Sequence, residues 1–378
     1  MRYVTPYILQ DLTRKMVFIG GPRQVGKTTL SRYLLDTHFP CGRYFNWDFD
    51  DDRKDLLDKK WSHQNRLLIF DELHKYPRWK TWIKGIYDVM GTMHSFLITG
   101  SARLDVYRQG GDSLFGRYHY WRLHPFTLDD APDNLPKKEA FDRLMRVGGF
   151  PEPFFENNPK NVKRWKTERF NLILKEDIRD LTYIKNIQLL RIFLDALRQR
   201  VGGMVVLSNM ARDLEIAPKT AKSWLEVLNR MYLTFSVTPY GRGLPRAVLK
   251  PPKVYFFDNS DVVGDEGARF ENLVAASLLK RVHFMQDKDG TEATLHYIRD
   301  KEGREVDFVI VADGSILELI EVKWSDDTIS TALSYYKKRL RVKKATQIVA
   351  HLKNPYDKDG ITITDPISYF NDFFQEAV

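Results

Sequence analysis

In the first third of the chain, short apolar runs alternate with segments in which apolar residues recur at helical spacing. Continuous apolar runs of this length are typical of strands that are buried on both faces of a sheet. The predicted strands lie at 16–19, 44–47, 67–70, 95–99 and 118–123. Because a helix is predicted at 27–36, between the first two strands, the pattern predicts an α/β unit with a parallel sheet.

The pattern changes after a segment rich in aspartate and proline at 127–138. Apolar residues then recur every three or four positions from 139 to about 200, which predicts helices. Two more helices separated by a turn are predicted within 205–233, and a second break follows at 240–245. After this break we predict a helix at 270–281 and two strands at 306–311 and 317–322.

Composition limits the class of protein. The 378 residues suffice for two or three domains. Lys and Arg number 59 against 50 Asp and Glu, and this net charge of +9 favours a polyanionic partner. A single cysteine, Cys41, excludes a disulfide framework and a cysteine-rich zinc site. No run approaches the ~18 apolar residues of a membrane span, and the first residues lack the apolar region of a signal peptide. We therefore expect a cytoplasmic protein without a membrane partner.

Residues 21–28, GPRQVGKT, match the phosphate-binding pattern G-x-x-x-x-G-K-[ST] between a predicted strand and a predicted helix. The glycines allow a tight loop, whose backbone N–H groups and following helix N-terminus bind phosphate oxygens. Lys27 is expected to reach the β- and γ-phosphates of ATP, and the Thr28 hydroxyl to bind Mg²⁺. The predicted nucleotide-binding residues are Gly21, Pro22, Arg23, Gln24, Val25, Gly26, Lys27, Thr28 and Thr29.

Two further predicted strands end in residues that suit ATP hydrolysis. The strand at 67–70 is followed by Asp71 and Glu72. Asp71 is expected to bind Mg²⁺, and Glu72 to polarise the attacking water. The strand at 95–99 leads to Ser101, which is expected to lie beside the γ-phosphate and orient that water. Glu72 and Ser101 are therefore predicted catalytic residues.

Four motifs in this order resemble those of one family: GPRQVGKTT, LLIFDELHKYPRWKTWIKGIYD, LITGSARL and SLFGRYHYWRLHPFT. They are similar to the AAA-type ATPases of bacteria and archaea that carry a C-terminal domain of unassigned function. The resemblance extends over nearly the whole chain. It implies an α/β fold with a P-loop NTPase (AAA-type) core at 1–130, a helical lid at 131–200, a winged helix at 201–245 and a restriction-endonuclease-like α/β module at 246–378.

Arg117 matches an arginine that this family places after its sensor strand. Such an arginine stabilises charge on the γ-phosphate, either in its own subunit or in a neighbouring one. The resemblance therefore implies a catalytic role for Arg117, and the second version implies a homo-oligomer. A structural ion pair is the alternative, and the sequence does not decide between them.

The two helices within 205–233 have the layout of a helix-turn-helix. Ser208 is predicted to cap the first, at 209–214, and Pro218 suits the first position of the second. An apolar face on the second helix leaves Lys219 and Lys222 pointing outward. DNA contact and purely protein contact both remain open for this element.

Beyond 300, the spacing D-x13-E-x-K places Asp307 on one predicted strand and Glu321 and Lys323 on the next, with the latter two on the same face. Two carboxylates that bind Mg²⁺ or Mn²⁺, with a lysine that activates water, suit phosphodiester hydrolysis. Glu271, on the predicted helix at 270–281, completes this candidate nuclease site. The arrangement resembles the restriction-endonuclease-like fold, although a charged β-hairpin has the same spacing.

Residues 335–344 contain six basic side chains interleaved with aromatic and apolar ones. On one helix they would form a stripe that follows a phosphate backbone, or simply a solvated face. Taken together, the features predict an ATPase that acts on DNA through its C-terminal domains. The alternatives are an ATP-regulated, structure-specific DNA nuclease and an ATP-switched module that binds a protein partner in a defence or toxin–antitoxin system.

Overall fold

A computed structural model of the chain describes residues 2–100, 114–132, 134–174, 186–241 and 251–371. The chain forms two compact units, Met1–His124 and Pro125–Val378. Each unit is built around its own β-sheet. Among the described helices, none combines the length and the apolar character that a bilayer crossing requires.

The first unit has five strands in the order β2-β3-β4-β1-β5, and every pair of neighbours is parallel. The strands are β1 (Met16–Gly20), β2 (Arg43–Asn46), β3 (Leu67–Asp71), β4 (Ser95–Thr99) and β5 (Tyr118–Arg122). The helices are α1 (Thr5–Asp11), α2 (Lys27–His38), α3 (Asp50–Leu57) and α4 (Trp79–Met90), with a short 3-10 helix at Leu73–Lys75. The predicted parallel α/β sheet is confirmed, with strand ends shifted by a residue.

Burial explains why these strands are continuous apolar runs. Every residue of β1 and β3 is buried, as expected for central strands covered on both faces. Trp79, Ile83 and Ile86 of α4 belong to the core on one side of the sheet. Since the strands are parallel, all their carboxyl ends lie at one edge, where β1, β3 and β4 end in Gly20, Asp71 and Thr99.

The second unit combines a helical region with a mixed sheet of eight strands, in the order β12-β13-β11-β10-β9-β8-β6-β7. Its strands are β6 (Thr234–Pro239), β7 (Lys253–Phe256), β8 (Ala293–Arg299), β9 (Glu305–Ala312), β10 (Ser315–Lys323), β11 (Lys344–Val349), β12 (Tyr356–Lys358) and β13 (Ile361–Thr364). Its α-helices are α5 (Lys137–Val147), α6 (Pro151–Glu156), α7 (Pro159–Leu172), α8 (Ile187–Arg198), α9 (Leu207–Asp213), α10 (Pro218–Arg230), α11 (Glu266–Asp289), α12 (Thr331–Leu340) and α13 (Pro366–Phe370). Short 3-10 helices lie at Leu128–Asp130 and Asn259–Asp261.

The two predicted strands are present as β9 and β10, which pair in antiparallel fashion. The helix before it, α11, is longer than predicted at both ends. It begins where the Asp265 carboxylate accepts a hydrogen bond from the Ala268 N–H (2.8 Å), and it ends at Gly290 in the left-handed conformation. Strands β6 and β7 follow the two helices α9 and α10, and β6 pairs with β8. One sheet therefore continues across the predicted boundary at 245, and the finer division into lid, winged helix and nuclease-like module stays a prediction.

Helices α9 and α10 occupy the predicted helix-turn-helix segment. Helix α10 begins at Pro218, as predicted, and buries Ala221, Trp224 and other apolar residues on one face. Helix α9 begins at Leu207, and Val206 stands at its cap position without a side-chain hydrogen bond. The predicted cap by Ser208 is therefore wrong, because that residue lies inside the helix.

Candidate active site

The phosphate-binding loop connects the buried strand β1 to helix α2, and its backbone requires glycine at two positions. Gly26 precedes α2 with φ of 96°, and Gly21 has φ of 133°. A Cβ atom at Gly21 would lie 2.3 Å from the carbonyl oxygen of Leu123, so no other residue fits there. The N–H groups of the first turn of α2 therefore open onto the end of β1, where an anion can bind.

Lys27 is the first residue of α2, and its side chain is folded back over this loop. The ammonium nitrogen donates hydrogen bonds to the carbonyl oxygens of Gly21 (3.1 Å) and Pro22 (2.7 Å). Only 7% of the residue is exposed. A positive charge is thus held at the mouth of the loop, where phosphate oxygens would meet it.

Asp71, at the end of β3, is buried and accepts hydrogen bonds from three hydroxyl groups. Thr28 donates its hydroxyl at 2.8 Å, and Tyr44 and Thr99 donate theirs from the neighbouring strands. Burial and the Asp71 carboxylate raise the pKa of Tyr44 well above its usual range, so the phenol stays a donor. The contact with Tyr44 was missed by the sequence analysis, because an aromatic residue on a predicted strand is an ordinary core residue.

Glu72 follows Asp71 with a left-handed backbone (φ of 57°), which is uncommon for a residue other than glycine. Its N–H donates to the carbonyl oxygen of Thr99 (3.0 Å), and this bond fixes the turn at the sheet edge. The Oε2 atom is buried without a hydrogen-bond partner among the described residues. Nε2 of His74 and Nζ of Lys75 lie 3.5 and 3.9 Å from it.

The environment of Glu72 makes its carboxylate more basic than a free one. Burial is the largest influence and raises the pKa of Glu72, and the negative charge of Asp71 adds to the rise. Lys27 and Lys75 act in the opposite direction without cancelling the effect. A carboxylate with a raised pKa, and with an oxygen that lacks a hydrogen-bond partner among the described residues, is suited to accept a proton from water.

The residues at this edge fit Mg²⁺. The hydroxyl of Thr28 and the carboxylate of Asp71 are both oxygen ligands of the kind Mg²⁺ takes, and they lie 2.8 Å apart. Across the described part of the chain, no three His, Cys, Asp or Glu side chains form a metal-binding group. In a P-loop site, phosphate oxygens and water supply the remaining Mg²⁺ ligands.

The other predicted residues of this site are not all brought to it. Ser101 lies outside the described residues. Arg117 precedes β5, whose other end is in register with Gly20, so Arg117 lies at the opposite edge of the sheet from the phosphate loop. There its guanidinium forms an exposed ion pair with Asp88, with nitrogen–oxygen distances of 2.7 and 3.3 Å. Within one chain Arg117 therefore does not reach the nucleotide site, and only action on a neighbouring copy remains as a prediction.

In the second unit, the candidate nuclease residues surround a lysine that the sequence analysis did not single out. The Lys253 ammonium lies 2.5 Å from Glu305, 3.5 Å from Glu271 and 3.5 Å from Asp307. The Tyr255 hydroxyl donates to Glu271 (2.7 Å). Burial by itself lowers the pKa of Lys253, but the three carboxylates raise it above its usual range, and the ammonium stays charged.

The ExK pair lies next to this cluster. Asp307 accepts a hydrogen bond from the Val322 N–H (3.0 Å), and Glu321 is ion-paired with Lys323 (2.8 Å). Burial, and then the charge of Asp307, raises the pKa of Glu321 to about 7. The structure therefore brings Asp307 together with Glu271 and places Glu321 and Lys323 beside them. The sequence analysis missed Glu305 as well as Lys253.

Comparison with known proteins identifies the domains. Residues 13–131 match the model of a family described as an AAA domain, and residues 138–262 and 266–368 match two models that are each described as a domain of unknown function. These matches confirm the predicted combination of an AAA domain with C-terminal domains of unassigned function.

Curated relatives include uncharacterized proteins of Mycobacterium bovis and Mycobacterium tuberculosis. Each is 27% identical over 245 residues, which is 64% of this chain and 54% of the relative. The chain thus spans about half the length of the curated relatives it matches.

Two solved structures are similar in part. A single-substitution variant of RuvB from Thermotoga maritima is 15% identical, with a TM-score of 0.33, and the match covers 61% of this chain and 88% of that one. Bacteroides Pif1 bound to single-stranded DNA is 14% identical, with a TM-score of 0.22, over 38% of this chain and 45% of that one. At these TM-scores neither likeness carries an argument about this chain.

Proposed function

We propose that this chain, which carries an AAA domain at 13–131, binds ATP with Mg²⁺ and hydrolyses it. The observation that supports the proposal is the arrangement at one edge of a parallel sheet. There Lys27 faces the mouth of a glycine loop, Thr28 contacts Asp71, and Glu72 presents a buried, unbonded carboxylate oxygen. These are the groups that phosphoryl transfer to water requires.

Each residue has a distinct task in the proposed reaction. The loop N–H groups and Lys27 bind and orient the phosphates, while Thr28 and Asp71 would hold Mg²⁺. When bound, Mg²⁺ neutralises charge on the phosphate oxygens. Glu72 orients a water molecule and accepts its proton as the water attacks. The hydroxyl of Tyr44 holds the Asp71 carboxylate in place.

The proposal is tested by phosphate release and nucleotide binding in the wild type and Lys27→Ala. We expect the variant to lose hydrolysis and to bind a fluorescent ATP analogue much more weakly, because the charge facing the phosphates is gone. Lys54→Ala, an exposed lysine on α3, is the matched control and should behave as wild type. Hydrolysis at the wild-type rate by Lys27→Ala would refute the proposed site.

For the second unit we propose binding to the phosphate backbone of DNA. The proposal is supported by exposed basic residues at and just beyond the C-terminal end of α12, namely Lys338, Arg339, Arg341 and Lys343. The predicted single helical stripe is wrong, since α12 ends at Leu340 and Arg341 takes a left-handed conformation. Lys344 begins β11 and is paired with Glu318 (3.3 Å).

Competition binding to single-stranded, duplex and branched DNA, with and without ATP, tests this second proposal. We expect affinity for every DNA form to fall steeply with salt, because lysine and arginine release counterions from phosphates. Absence of binding at low salt would refute DNA action and favour the ATP-switched protein-binding module instead.

A further inference from the structure

Three carboxylates of the second unit converge on one ammonium group. Glu305 and Asp307 lie two residues apart on β9 and so face the same side of the sheet, and Glu271 reaches the same point from α11. The Lys253 nitrogen lies 2.5 Å from Glu305 and 3.5 Å from each of the other two. A cation thus already stands where these acidic groups meet.

The backbone of Lys253 pairs with a neighbouring segment on each side. It pairs with Val237 of β6 and forms an isolated bridge with Met204. The residue is 2% exposed, and its nitrogen lies 5.7 Å from the ring centre of Tyr297. An ammonium that is buried and anchored in this way does not leave the cluster as a surface lysine can.

We propose that the Lys253 ammonium takes the place of a divalent cation in this cluster, and that the second unit therefore does not cleave phosphodiesters by metal catalysis. Mg²⁺ requires oxygens at about 2.0–2.1 Å in octahedral geometry, a space that the ammonium fills. Both oxygens of Asp307 are engaged, since Oδ1 contacts Lys253 and Oδ2 accepts from the Val322 N–H, and Tyr255 donates to the Glu271 oxygen that Lys253 also contacts. Of the residues expected of a metal-dependent nuclease, Asp307 and Glu271 are thus held by a fixed ammonium group and do not fit a metal ion between them.

The inference concerns the second unit alone and does not depend on ATP hydrolysis. Beside this cluster, which holds one fixed positive charge among its three carboxylates, Glu321 and Lys323 form a pair at 2.8 Å. This ion pair has a buried carboxylate, since Glu321 is 5% exposed. It does not supply the metal-activated water that hydrolysis of a phosphodiester needs.

Titration of the nucleotide-free full chain with Mn²⁺, followed by electron paramagnetic resonance, tests the inference in the wild type, Asp307→Asn and the control Asp327→Asn. Asp327 is exposed and lies outside the cluster. We expect all three proteins to bind the same number of Mn²⁺ ions, because any ion at Thr28 and Asp71 is common to them. One additional ion in the wild type that Asp307→Asn lacks would overturn the inference. Mn²⁺-dependent nicking of DNA that Asp307→Asn abolishes would also overturn it.

A complementary variant should create the missing site. Lys253→Met removes the charge at similar length, and we expect it to bind Mn²⁺ at the cluster more tightly than wild type by roughly a hundredfold or more, because a repelling unit charge is gone. Lys253→Arg keeps the charge and should gain no ion. Folding is checked by circular dichroism. If Lys253→Met is unfolded, the inference is tested by the comparison of wild type with Asp307→Asn alone. A folded Lys253→Met that gains no Mn²⁺ would contradict the inference.

Discussion

Replacement of Glu72 by glutamine separates nucleotide binding from hydrolysis. The side chain is 20% exposed, and its Oε2 atom has no hydrogen-bond partner within the described residues, so the amide fits in nearly the same space. The substitution removes the proton acceptor but leaves the contacts of Lys27 and Thr28 intact. We therefore expect ATP to bind at least as tightly as in the wild type.

The loss of turnover follows from the role of a general base. Such a group contributes about 10²–10⁴-fold, or about 3–5 kcal/mol of barrier, and we expect Glu72→Gln to lose this factor. The pH dependence gives a second measure. Because burial raises the pKa of Glu72, wild-type turnover should begin to fall with decreasing pH closer to neutrality than it would with a free glutamate as the base. The variant, which has no carboxylate to protonate, should lack this acidic limb.

Single-turnover phosphate release between pH 5 and pH 9, together with binding of a fluorescent ATP analogue, measures both effects. Asp58→Asn, an exposed carboxylate of the same unit, is the control and should keep the wild-type profile. The role assigned to Glu72 is wrong if Glu72→Gln hydrolyses ATP at the wild-type rate. It is also wrong if the acidic limb persists in the variant.

Three further predictions concern other parts of the chain. Lys280→Met should lower the free energy of unfolding by about 3–5 kcal/mol in urea denaturation, because the Asp130 carboxylate, 2.7 Å from the lysine and 2% exposed, would lose this charged contact. Arg117→Ala should leave turnover unchanged in dilute, monomeric protein. If Arg117 completes the site of a neighbouring copy, Arg117→Ala should lower turnover at concentrations at which the chain self-associates. Mixing Arg117→Ala with a variant that is inactive in its phosphate-binding loop should then restore activity. Reversing the charges of Lys338 and Arg341 should weaken binding to all DNA sequences alike in a salt titration, and a loss confined to one sequence would contradict phosphate contact.

The nucleotide site could be predicted because its parts are local in sequence. A buried strand that leads into a glycine loop, and another that leads into Asp71 and Glu72, carry their own pattern, and the parallel sheet brings both to one edge. The role of Arg117 was inferred from the resemblance, although a residue that precedes a parallel strand lies at the edge opposite the carboxyl ends. Strand β5 is about 16 Å long at 3.3 Å per residue, and Arg117 stands at its far end.

The second unit was less predictable because its sheet depends on contacts between distant segments. Only β9 and β10 of this sheet were predicted, whereas β6, β7, β8, β11, β12 and β13 complete it. The Lys253 cluster joins β7 to a strand about 50 residues later and to a helix between them. A lysine at the start of a short apolar strand has no local pattern that distinguishes it from a surface residue. The basic residues at 335–344 were wrongly predicted to share one helix. The left-handed backbone of Arg341 ends the helix, so these residues are divided between a helix and a strand.

The two acidic sites of the chain differ in the groups that satisfy their carboxylates. Around Asp71 the partners are the neutral hydroxyls of Thr28, Tyr44 and Thr99, and a hydroxyl such as that of Thr28 can itself become a ligand when Mg²⁺ binds. In the second unit the partner is the ammonium of Lys253, which has no lone pair to offer a metal and repels any cation that approaches. Neutral donors leave the charge of Asp71 available for a metal, whereas an anchored ammonium permanently occupies the other cluster. We therefore propose that the same residue types serve a metal-dependent reaction in the first unit and form a metal-free cluster in the second.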